Sequence, residues 1–374
     1  MNNKFSNKIA LLCTGNEITQ GDILNTNARQ ITQELFSHGL EPNLQIAAPD
    51  DIQSIEKAIT FLLQEHAVLI ITGGLGPTSD DKTRYALASY LNKPLLEDKA
   101  STEKLENLYK KIKKPFVESA RQQAFFPEGS SIIENPVGSA NGCTYEIKEQ
   151  SIFMLPGPPH ECLPMFHKSI LPKLIHRYAS EKKLLKWKLF GALEGPIAEK
   201  LDHLLETYHC ETGYRLDYPY IDFKILIHKH HNQEKDIVKL IEKAIAPYWL
   251  DNSFETASER LKNFLTHFNE AVLIHDEATG GILASRVLVP DNAATLTFTC
   301  SCSQNAANVH CFKITGLTNY WQKKSTEPES EIQISYQQKT ETFTLPFINQ
   351  RLPEYAAEFA AHHIYQKLRA RKYN

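Results

Sequence analysis

Short apolar runs alternate with amphipathic helical patterns in the first half of the chain. The run KIALLCT (8–14) predicts a strand, and within 25–39 the residues Ile31, Leu35 and Phe36 have the spacing of one helical face. The alternation continues with predicted strands near 44–48 and at 67–72, 143–147 and 151–155, and with predicted helices at 51–65 and about 80–92. Strands that alternate with helices predict an α/β fold with a parallel sheet covered on both faces.

The pattern changes after residue 175. A small α+β domain with an antiparallel sheet is predicted by strands at 184–191, 211–218 and 220–228 and by helices at 196–208 and 232–249. A further mixed domain is predicted by helices at 256–268 and 352–370 and by strands at 271–275, 294–300, 309–315, 331–337 and 340–345. We therefore expect three domains, 1–175, 180–252 and 254–374, from this chain of 374 residues.

The composition argues against several classes of protein. The formal net charge is −3 and the sequence pI is about 6.6, so there is no basic footprint and nucleic acid is not an expected partner. No apolar run approaches the roughly 18 residues that a membrane-spanning helix needs. The first residues contain only a short apolar stretch and predict a first strand rather than a signal peptide. We expect a cytoplasmic protein that does not contact the membrane.

The chain contains seven cysteines, an odd number at scattered positions. This usage favours a reducing compartment and mostly buried thiols. The tightest cluster, Cys300, Cys302, His310 and Cys311, has the residue types of a zinc site. Because Cys-x-Cys on an apolar run is poor ligand spacing, packing in the core is the favoured interpretation.

The stretch ITGGLGPTSDDKT (71–83) follows an apolar strand with a glycine-rich turn. Gly73, Gly74 and Gly76 allow the backbone to turn tightly and a ligand to approach its N–H groups, which favours an anion such as phosphate. Asp80 and Asp81 suit the first turn of the next helix, or they could hold a divalent cation against a phosphate. The plainer alternative is a turn followed by a helix cap. The stretch is neither a Walker loop nor a complete G-x-G-x-x-G motif.

The sequence contains three other polar loops, of which the first and the last follow predicted strands. They are TGNEITQGDILNTN (14–27), ENPVGSANGC (134–143) and LPGPPHE (155–161). Because ligands bind beyond the carboxyl ends of parallel strands, several such loops together predict a pocket. In the last loop, Glu161 is interpreted as a helix cap and His160 as an exposed side chain.

TGNEITQGDILNTN, ITGGLGPTSDDKT, NPVGSANG and LPGPPHE, in this order, resemble the N-terminal domain of the CinA family of competence/damage-inducible proteins. The resemblance implies a three-layer α/β domain with a parallel sheet and the MoaB/MogA-like, molybdopterin-binding fold. It extends to the whole layout, since 180–252 resembles the family's small KH-like α+β domain and 254–374 its C-terminal α/β domain. The KH-like label does not imply RNA binding, because this segment has no evident Gly-x-x-Gly loop and its charge is mixed.

The resemblance implies a pyrophosphatase that needs a divalent metal (Mg, Mn or Co) and cleaves ADP-ribose, or FAD in related domains. Asp81, with Asp80, would hold the metal, which would polarise a phosphorus–oxygen bond and lower the pKa of the attacking water. Glu17 or Asp22 would orient that water, a choice that the sequence leaves open. The other residues implied to bind the nucleotide are Gly15, Asn27, Gly73, Gly74, Gly76, Thr78, Gly138, Pro156 and Gly157. A homodimer is also implied.

The family's C-terminal domain is usually a nicotinamide mononucleotide deamidase with a Glu-Ser-Cys-Thr-Gly-Gly motif whose serine is the nucleophile. Here the stretch is DEATGG (276–281), so Glu277 stands at the serine position, where a carboxylate cannot replace a serine alkoxide. The second family motif, rich in glycine, is TGLTNYWQKK from Thr315, and the expected lysine after the second strand is not found. Ser285 is interpreted as a helix residue, since no base partner is apparent. We expect a noncatalytic domain.

Other classes of function stay open. The N-terminal fold could bind a nucleotide or a molybdopterin-like ligand without turnover. The C-terminal domain could serve as a dimerisation surface, in which case truncation near residue 252 would abolish the dimer. A retained deamidase activity is the weakest alternative.

Overall fold

The computed structural model describes residues 8–178, 181–208, 210–248, 254–299, 309–322, 329–337, 339–346 and 350–372. The chain divides into two compact units, 1–184 and 185–374. No helix among the described residues is long and apolar enough to cross a membrane.

The N-terminal unit is built on one six-stranded sheet and a short hairpin. Its strands are β1 (Ile9–Thr14), β2 (Pro42–Ala48), β3 (Val68–Thr72), β4 (Leu95–Glu97), β5 (Phe125–Pro127), β6 (Ser131–Ile133), β7 (Gly142–Ile147) and β8 (Gln150–Leu155). Its helices are α1 (Asn16–Thr19), α2 (Thr26–Ser37), α3 (Ile52–Leu63), α4 (Thr83–Leu91), α5 (Lys99–Lys111), α6 (Glu118–Arg121), α7 (Pro159–Met165) and α8 (Leu171–Arg177). The six-stranded sheet has the order β2-β1-β3-β8-β7-β6.

The predicted parallel sheet is confirmed for four strands and corrected at one edge. β2, β1, β3 and β8 run parallel, whereas β7 is antiparallel to both β8 and β6. The reason is the tight turn at Lys148, which has a φ of 53°, between β7 and β8. Two strands joined by so short a turn must be antiparallel, because a parallel pair needs a long crossover.

Helices cover both faces of the sheet, as predicted. Along β1, Ile9, Leu11 and Cys13 belong to the core beneath α2 and α7, while Ala10 and Leu12 belong to the core beneath α3 and α4. All residues of β1, β3 and β8 are buried. Strands buried on both faces read as continuous apolar runs, which is why the sequence locates them well.

The C-terminal unit contains two further sheets. One has the order β10-β11-β9 and the other the order β13-β12-β14-β15-β16. The strands are β9 (Lys182–Phe190), β10 (Glu211–Asp217), β11 (Tyr220–His228), β12 (Ala271–Asp276), β13 (Leu296–Phe298), β14 (Val309–Gly316), β15 (Glu329–Tyr336) and β16 (Lys339–Pro346). The helices are α9 (Glu194–Leu205), α10 (Glu234–Ile245), α11 (Ala257–Leu265), α12 (Ile282–Val287), α13 (Thr318–Trp321) and α14 (Leu352–Lys372).

The two predicted segments of this unit share a core. Phe190 and Tyr220, from the three-stranded sheet, are buried together with Leu261 and Ala356 from the C-terminal segment. The Tyr220 hydroxyl also donates to the buried carboxylate of Glu358 at 2.6 Å. The middle segment has its own core as well, beneath α9 and α10.

The cysteines follow the expectation in part. Cys13, Cys143 and Cys162 are free and buried, as predicted. Cys311 departs from the expected reduced thiol because it is disulfide-bonded, and Cys300 and Cys302 lie outside the described residues. Buried His310 engages both ring nitrogens, with Tyr336 Oη and Glu270 Oε2 each at 2.7 Å, so this side chain has a packing role and no nitrogen left for zinc.

Candidate functional site

A cavity of about 580 Å³ opens at the carboxyl ends of the parallel strands. The residues that follow β1, β3 and β8, namely Gly15, Gly73 and Pro156, all line it, and Asp50 lines it just beyond β2. Parallel sheets place ligands at this edge. Three of the four predicted polar loops contribute at least three residues each to the wall, and Ser139 and Ala140 come from the fourth.

The glycine turn after β3 packs directly on the end of β1 and the start of α4. Gly73 and Gly74 have φ values of 106° and 64°, a region that favours glycine. A Cβ on Gly73 would lie 2.3 Å from Thr14 O, and one on Gly74 would lie 2.1 Å from Thr83 Oγ1. The turn therefore needs both glycines for its shape and for its close packing.

Asp81 braces this loop with both carboxylate oxygens. Its Oδ1 accepts the Gly76 N–H at 2.7 Å, and its Oδ2 accepts the Thr78 N–H at 2.8 Å and the Thr78 hydroxyl at 2.5 Å. The N–H groups of Gly76 and Thr78, which were expected to cradle phosphate, are thus occupied within the protein. The Gly73 N–H is occupied too, since it donates to Leu155 O at 3.0 Å.

Other N–H groups of the loop stay open. Within the described part of the chain, the N–H groups of Gly74 and Leu75 have no hydrogen-bond acceptor. Both residues line the cavity. Two successive unpaired N–H groups in a turn typically form an anion-binding site.

Arg84 supports the loop from beneath. Its Nη1 donates to Leu75 O at 2.7 Å and its Nη2 to Gly76 O at 3.0 Å. Burial lowers the pKa of this guanidinium, and Asp81 acts in the opposite direction. Arg84 was not predicted at this site, although a cation in the first turn of the helix after a glycine loop is a signal that could have indicated it.

Asp80 and Asp81 precede α4, which starts at Thr83 rather than at about residue 80. They therefore lie in the turn before the helix, and the prediction that they occupy its first turn is wrong. Asp80 is exposed, and the nearby Thr78 side chain lowers the pKa of its carboxyl. Asp80 consequently stays ionised at the mouth of the cavity.

Asp50 adds to the cavity a carboxylate that no sequence motif indicated. Its Oδ2 accepts the Asn16 N–H at 2.8 Å, while its own N–H donates to Asn16 Oδ1 at 3.2 Å. Burial raises the pKa of Asp50, and the charges of Glu17, Asp80 and Asp81 raise it further. The carboxylates of this wall therefore lie close enough to repel one another.

Glu161 stands on the wall formed by the loop after β8. Its Oε2 accepts from Asn135 Nδ2 at 2.6 Å, and a Cβ on Gly138 would lie 1.9 Å from that same oxygen. The expected role of Glu161 as a helix cap is wrong, because no side chain caps α7. His160 is exposed, as predicted.

Asn27 lines the cavity, and the oxygen of its side-chain amide has no hydrogen-bond partner. Its Nδ2 donates to Gly157 O at 2.6 Å, which ties α2 to the loop after β8. Its Oδ1 is buried and has no hydrogen-bond partner. A buried amide oxygen without a donor is costly, so a ligand donor would satisfy it.

The cavity brings together most of the residues expected at the site. Those that line it are Gly15, Glu17, Asn27, Gly73, Gly74, Gly76, Thr78, Asp80, Asp81, Pro156 and Gly157. Asp22 and Gly138 are not among the lining residues. Asp22 is exposed on the turn after α1, and Gly138 shapes the wall by leaving room for Glu161.

No group of three or more His, Cys, Asp or Glu side chains among the described residues is arranged to hold a metal ion. Carboxylates nevertheless line the cavity at five positions: Glu17, Asp50, Asp80, Asp81 and Glu161. Mg²⁺ is usually held by one or two carboxylates together with water and substrate phosphates. These residues therefore fit a cation whose remaining coordination positions are filled by water and by the phosphates of a bound ligand.

The deamidase-like stretch of the C-terminal unit folds as a strand-to-helix turn. Asp276 accepts the N–H groups of Ala278 and Thr279 at 3.0 and 2.9 Å. Glu277, which the sequence resemblance aligns with the nucleophilic serine, lies 2.9 Å from His275 Nε2. Ser285 lies within α12 and donates to Ile282 O at 2.8 Å, which confirms its interpretation as a helix residue.

Residues 10–176 match the family model described as "Probable molybdopterin binding domain". A competence-damage inducible protein of Caldicellulosiruptor saccharolyticus is 32% identical over 286 residues, which covers 74% of this chain and 69% of the relative. The chain belongs to the CinA-like family of competence-damage inducible proteins. The family expected from the sequence motifs is thereby confirmed, together with the molybdopterin-binding type of the N-terminal domain.

Other CinA-like relatives show similar coverage. A CinA-like protein of Shewanella piezotolerans is 28% identical over 289 residues, covering 75% of this chain and 67% of the relative. Among solved structures, CinA of Thermoplasma acidophilum is 29% identical and covers 45% of this chain and 98% of its own, with a TM-score of 0.42. MoaB of Thermus thermophilus is 16% identical, covers 46% of this chain and 97% of its own, and has a TM-score of 0.31.

Proposed function

We propose that the N-terminal cavity binds a nucleotide that carries a diphosphate, and that the protein hydrolyses this diphosphate with a divalent cation. ADP-ribose, cleaved to AMP and ribose 5-phosphate, is the substrate that the family resemblance favours. One observation carries the proposal. Five carboxylates and a glycine loop share a cavity of about 580 Å³, whose described lining residues include no Lys, Arg or His.

The charge of the cavity explains why a cation is part of the proposal. Two like unit charges 4 Å apart repel by about 4 kcal/mol at the effective dielectric constant near a protein surface. Several carboxylates would therefore exclude a diphosphate unless a cation neutralised it. When bound, the cation would supply that neutralisation and polarise the phosphorus–oxygen bond.

The two aspartates of the motif have different roles in this proposal. Asp80 holds the cation, because its carboxylate is exposed and its pKa is lowered. Asp81 holds the loop, because both of its oxygens accept loop hydrogen bonds. Mg²⁺ or Mn²⁺ suits an oxygen donor of this kind.

The remaining roles follow from which groups reach the cavity. The open N–H groups of Gly74 and Leu75 would receive a phosphate oxygen. Glu17 is better placed than Asp22 to orient the attacking water, because Glu17 lines the cavity and Asp22 does not. The unsatisfied Oδ1 of Asn27 would accept a hydrogen bond from a ligand hydroxyl or amine.

A binding protein without turnover is the second candidate. It is favoured by the description of the matching family model as a molybdopterin binding domain. Such a protein would gain thermal stability from its ligand and release no product. An excess of ligand at a hundred times its Kd stabilises a native protein by about 2.7 kcal/mol, which a melting curve detects.

Product analysis by chromatography separates these candidates. The full chain would be incubated with ADP-ribose, FAD or nicotinamide mononucleotide, with Mg²⁺, Mn²⁺ or Co²⁺, and with a chelator as control. AMP that forms only with metal supports the hydrolase. Thermal stabilisation without product supports the binding protein, and nicotinic acid mononucleotide would contradict the expectation of a noncatalytic C-terminal domain.

A further inference from the structure

A second cleft, of about 600 Å³, lies beside the glycine loop in the N-terminal unit. We call it the side cleft and define it by Pro77, Tyr85, Leu95, Glu118, Gln122 and Phe125, which are among its lining residues. Tyr85, Leu95 and Phe125 are half-buried. Of the residues that line the side cleft, only Pro77 and Ser79 belong to the sequence motifs.

The side cleft adjoins the main cavity at the glycine loop. Pro77 lines both spaces. A ligand whose phosphate groups lie against Gly74 and Leu75 would have to extend past Pro77 to place its remaining part in the side cleft. The two spaces, of about 580 and 600 Å³, each fall in the range of small-molecule pockets.

One side-chain amide fixes the wall of the side cleft to the loop. Gln122 Nε2 donates to Pro77 O at 2.7 Å, and Gln122 Oε1 accepts from Tyr85 Oη at 2.9 Å. The Tyr85 ring is therefore held beside the phosphate-binding turn rather than left free to rotate. A ring held in place loses little entropy when a ligand stacks on it.

The chemistry of the wall selects the kind of group that fits. Tyr85 and Phe125 offer aromatic surface, and such surface stacks well on a planar heterocycle. Glu118 contributes a carboxylate whose side chain is 84% exposed and lies 4.0 Å from Arg121 Nη1. Arg121 makes its shorter bonds to Glu97, at 2.9 and 3.0 Å, so the Glu118 carboxylate can accept from an amino group on the heterocycle.

We propose that the side cleft binds the amino-bearing heterocyclic base of the nucleotide whose phosphates lie in the main cavity. This proposal rests on the proposed function of the main cavity and adds to it the origin of nucleotide specificity. Tyr85 and Phe125 stack on the base, Glu118 accepts from its amino group, and Gln122 positions Tyr85 as a support residue.

Calorimetric titration of the full chain with AMP and with ribose 5-phosphate, both with Mg²⁺, tests the proposal. Tyr85→Leu is expected to weaken AMP binding about tenfold, the scale of losing one base–aromatic stack, and to leave ribose 5-phosphate binding within about twofold. Tyr85→Phe keeps the ring and is expected to bind both ligands within about threefold of wild type. Phe125→Leu is the second ring variant, in case Tyr85→Leu fails to fold.

Glu118→Gln gives an independent readout of base recognition. It is expected to reduce the preference for AMP over IMP, whose base lacks the amino group. The affinity for ribose 5-phosphate is expected to stay unchanged. Contrary results would be that wild type binds AMP while the Tyr85 or Phe125 variants lose affinity for both ligands equally, or for neither. Either result would overturn the base site and leave the assignment of the main cavity unchanged. If wild type binds neither AMP nor ribose 5-phosphate, the proposed function falls, and the base site with it.

Discussion

At the scale of single residues, two adjacent aspartates of one motif have different roles. Asp81 has both oxygens committed to Gly76 and Thr78, whereas Asp80 is exposed and ionised. Sequence spacing treats the pair as one feature. The distinction depends on which oxygen receives a backbone N–H, and that depends on the path of the loop.

The bracing role of Asp81 predicts the effect of Asp81→Asn. The new amide would turn an N–H donor towards one of the loop N–H groups, so the loop would shift. We expect the rate of AMP release at saturating Mn²⁺ to fall by about tenfold to a hundredfold, the scale of a small misplacement of binding groups. More Mn²⁺ should not restore it. Unchanged activity, or recovery with extra metal, would show that Asp81 acts instead as a metal ligand or not at all.

The raised pKa of Asp50 predicts how stability depends on pH. A folded-state pKa above the ordinary value of 3.8 means that the ionised form is penalised on folding, so stability is lost as pH rises through the raised value. In metal-free buffer at pH 7, Asp50→Asn should therefore raise the melting temperature by about 2 °C. The gain should shrink as the pH approaches 4.

Asp51 is the matched control for this measurement. The pKa of Asp51 is lowered by its hydrogen bonds to Ser54, so this carboxylate stabilises the fold above its ordinary pKa and caps α3. Asp51→Ala should lower the melting temperature at pH 7. An Asp50→Asn variant that loses stability at pH 7 would mean that its bond to Asn16 outweighs the repulsion among the carboxylates.

At the scale of elements, the glycine turn decides how β3 joins α4. Gly74→Ala would place a methyl group 2.1 Å from Thr83 Oγ1 at a positive φ. We expect a loss of about 2 kcal/mol in the free energy of unfolding, from backbone strain and overpacking together. Urea unfolding measures it.

Gly195→Ala is the control for Gly74→Ala. Gly195 lies in α9, where an added methyl group would have no neighbour within 4 Å and where φ is not positive. Alanine there should be neutral or stabilising by about 0.5 to 1 kcal/mol. A Gly74→Ala variant as stable as this control would contradict the close packing of the turn.

The sequence predicts those strands that are apolar throughout and those helices that have clear caps. β1, β3 and β8 are apolar throughout, and α2 and α3 have clear caps at Asn25 and Asp51. The segment from 95 to 127 could not be predicted in the same way. Within it, α5 buries only Ser101 and Leu105, so its apolar period is weak.

The position of the site could be predicted from the sequence, but the full set of its residues could not. Loops after parallel strands predict where the cavity lies, and the motifs supply most of its walls. Asp50 was missed because two adjacent aspartates follow β2, and either one could cap α3. Tyr85, in α4, and Phe125, in β5, were missed because a single aromatic residue carries no motif.

At the scale of the whole molecule, the boundary expected near residue 252 crosses a shared core. Phe190 and Tyr220 pack with residues of the C-terminal segment. Removing residues from 254 onward would expose them, so truncation tests stability as well as dimerisation. Variants of the full chain are therefore the better probes of this unit.

Glu358 is the buried charge at this junction. It is 1% exposed and accepts from Tyr220 Oη, the Ser258 N–H and hydroxyl, and Arg286 Nη1. Glu358→Gln would remove the closer of the two charged partners of Arg286, leaving Glu354, and would turn an N–H towards other donors. We expect a loss of about 3 kcal/mol in urea unfolding.

Glu354, one turn earlier in α14, is the matched control. Its side chain is 25% exposed and pairs with Arg351 and Arg286. Glu354→Gln should cost less than about 1 kcal/mol, as for ordinary surface ion pairs. Equal losses for the two variants would contradict the junction role of Glu358.

The most direct test of the central claim is the initial rate of AMP release from ADP-ribose against Mn²⁺ concentration, for wild type and Asp80→Asn. We predict no AMP in the presence of a chelator. We further predict that Asp80→Asn needs about tenfold more Mn²⁺ to reach half of its maximal rate, because one anionic ligand is lost. AMP release that is unaffected by the chelator, or identical metal curves for the two proteins, would contradict the account of a carboxylate-lined cavity that works through a cation.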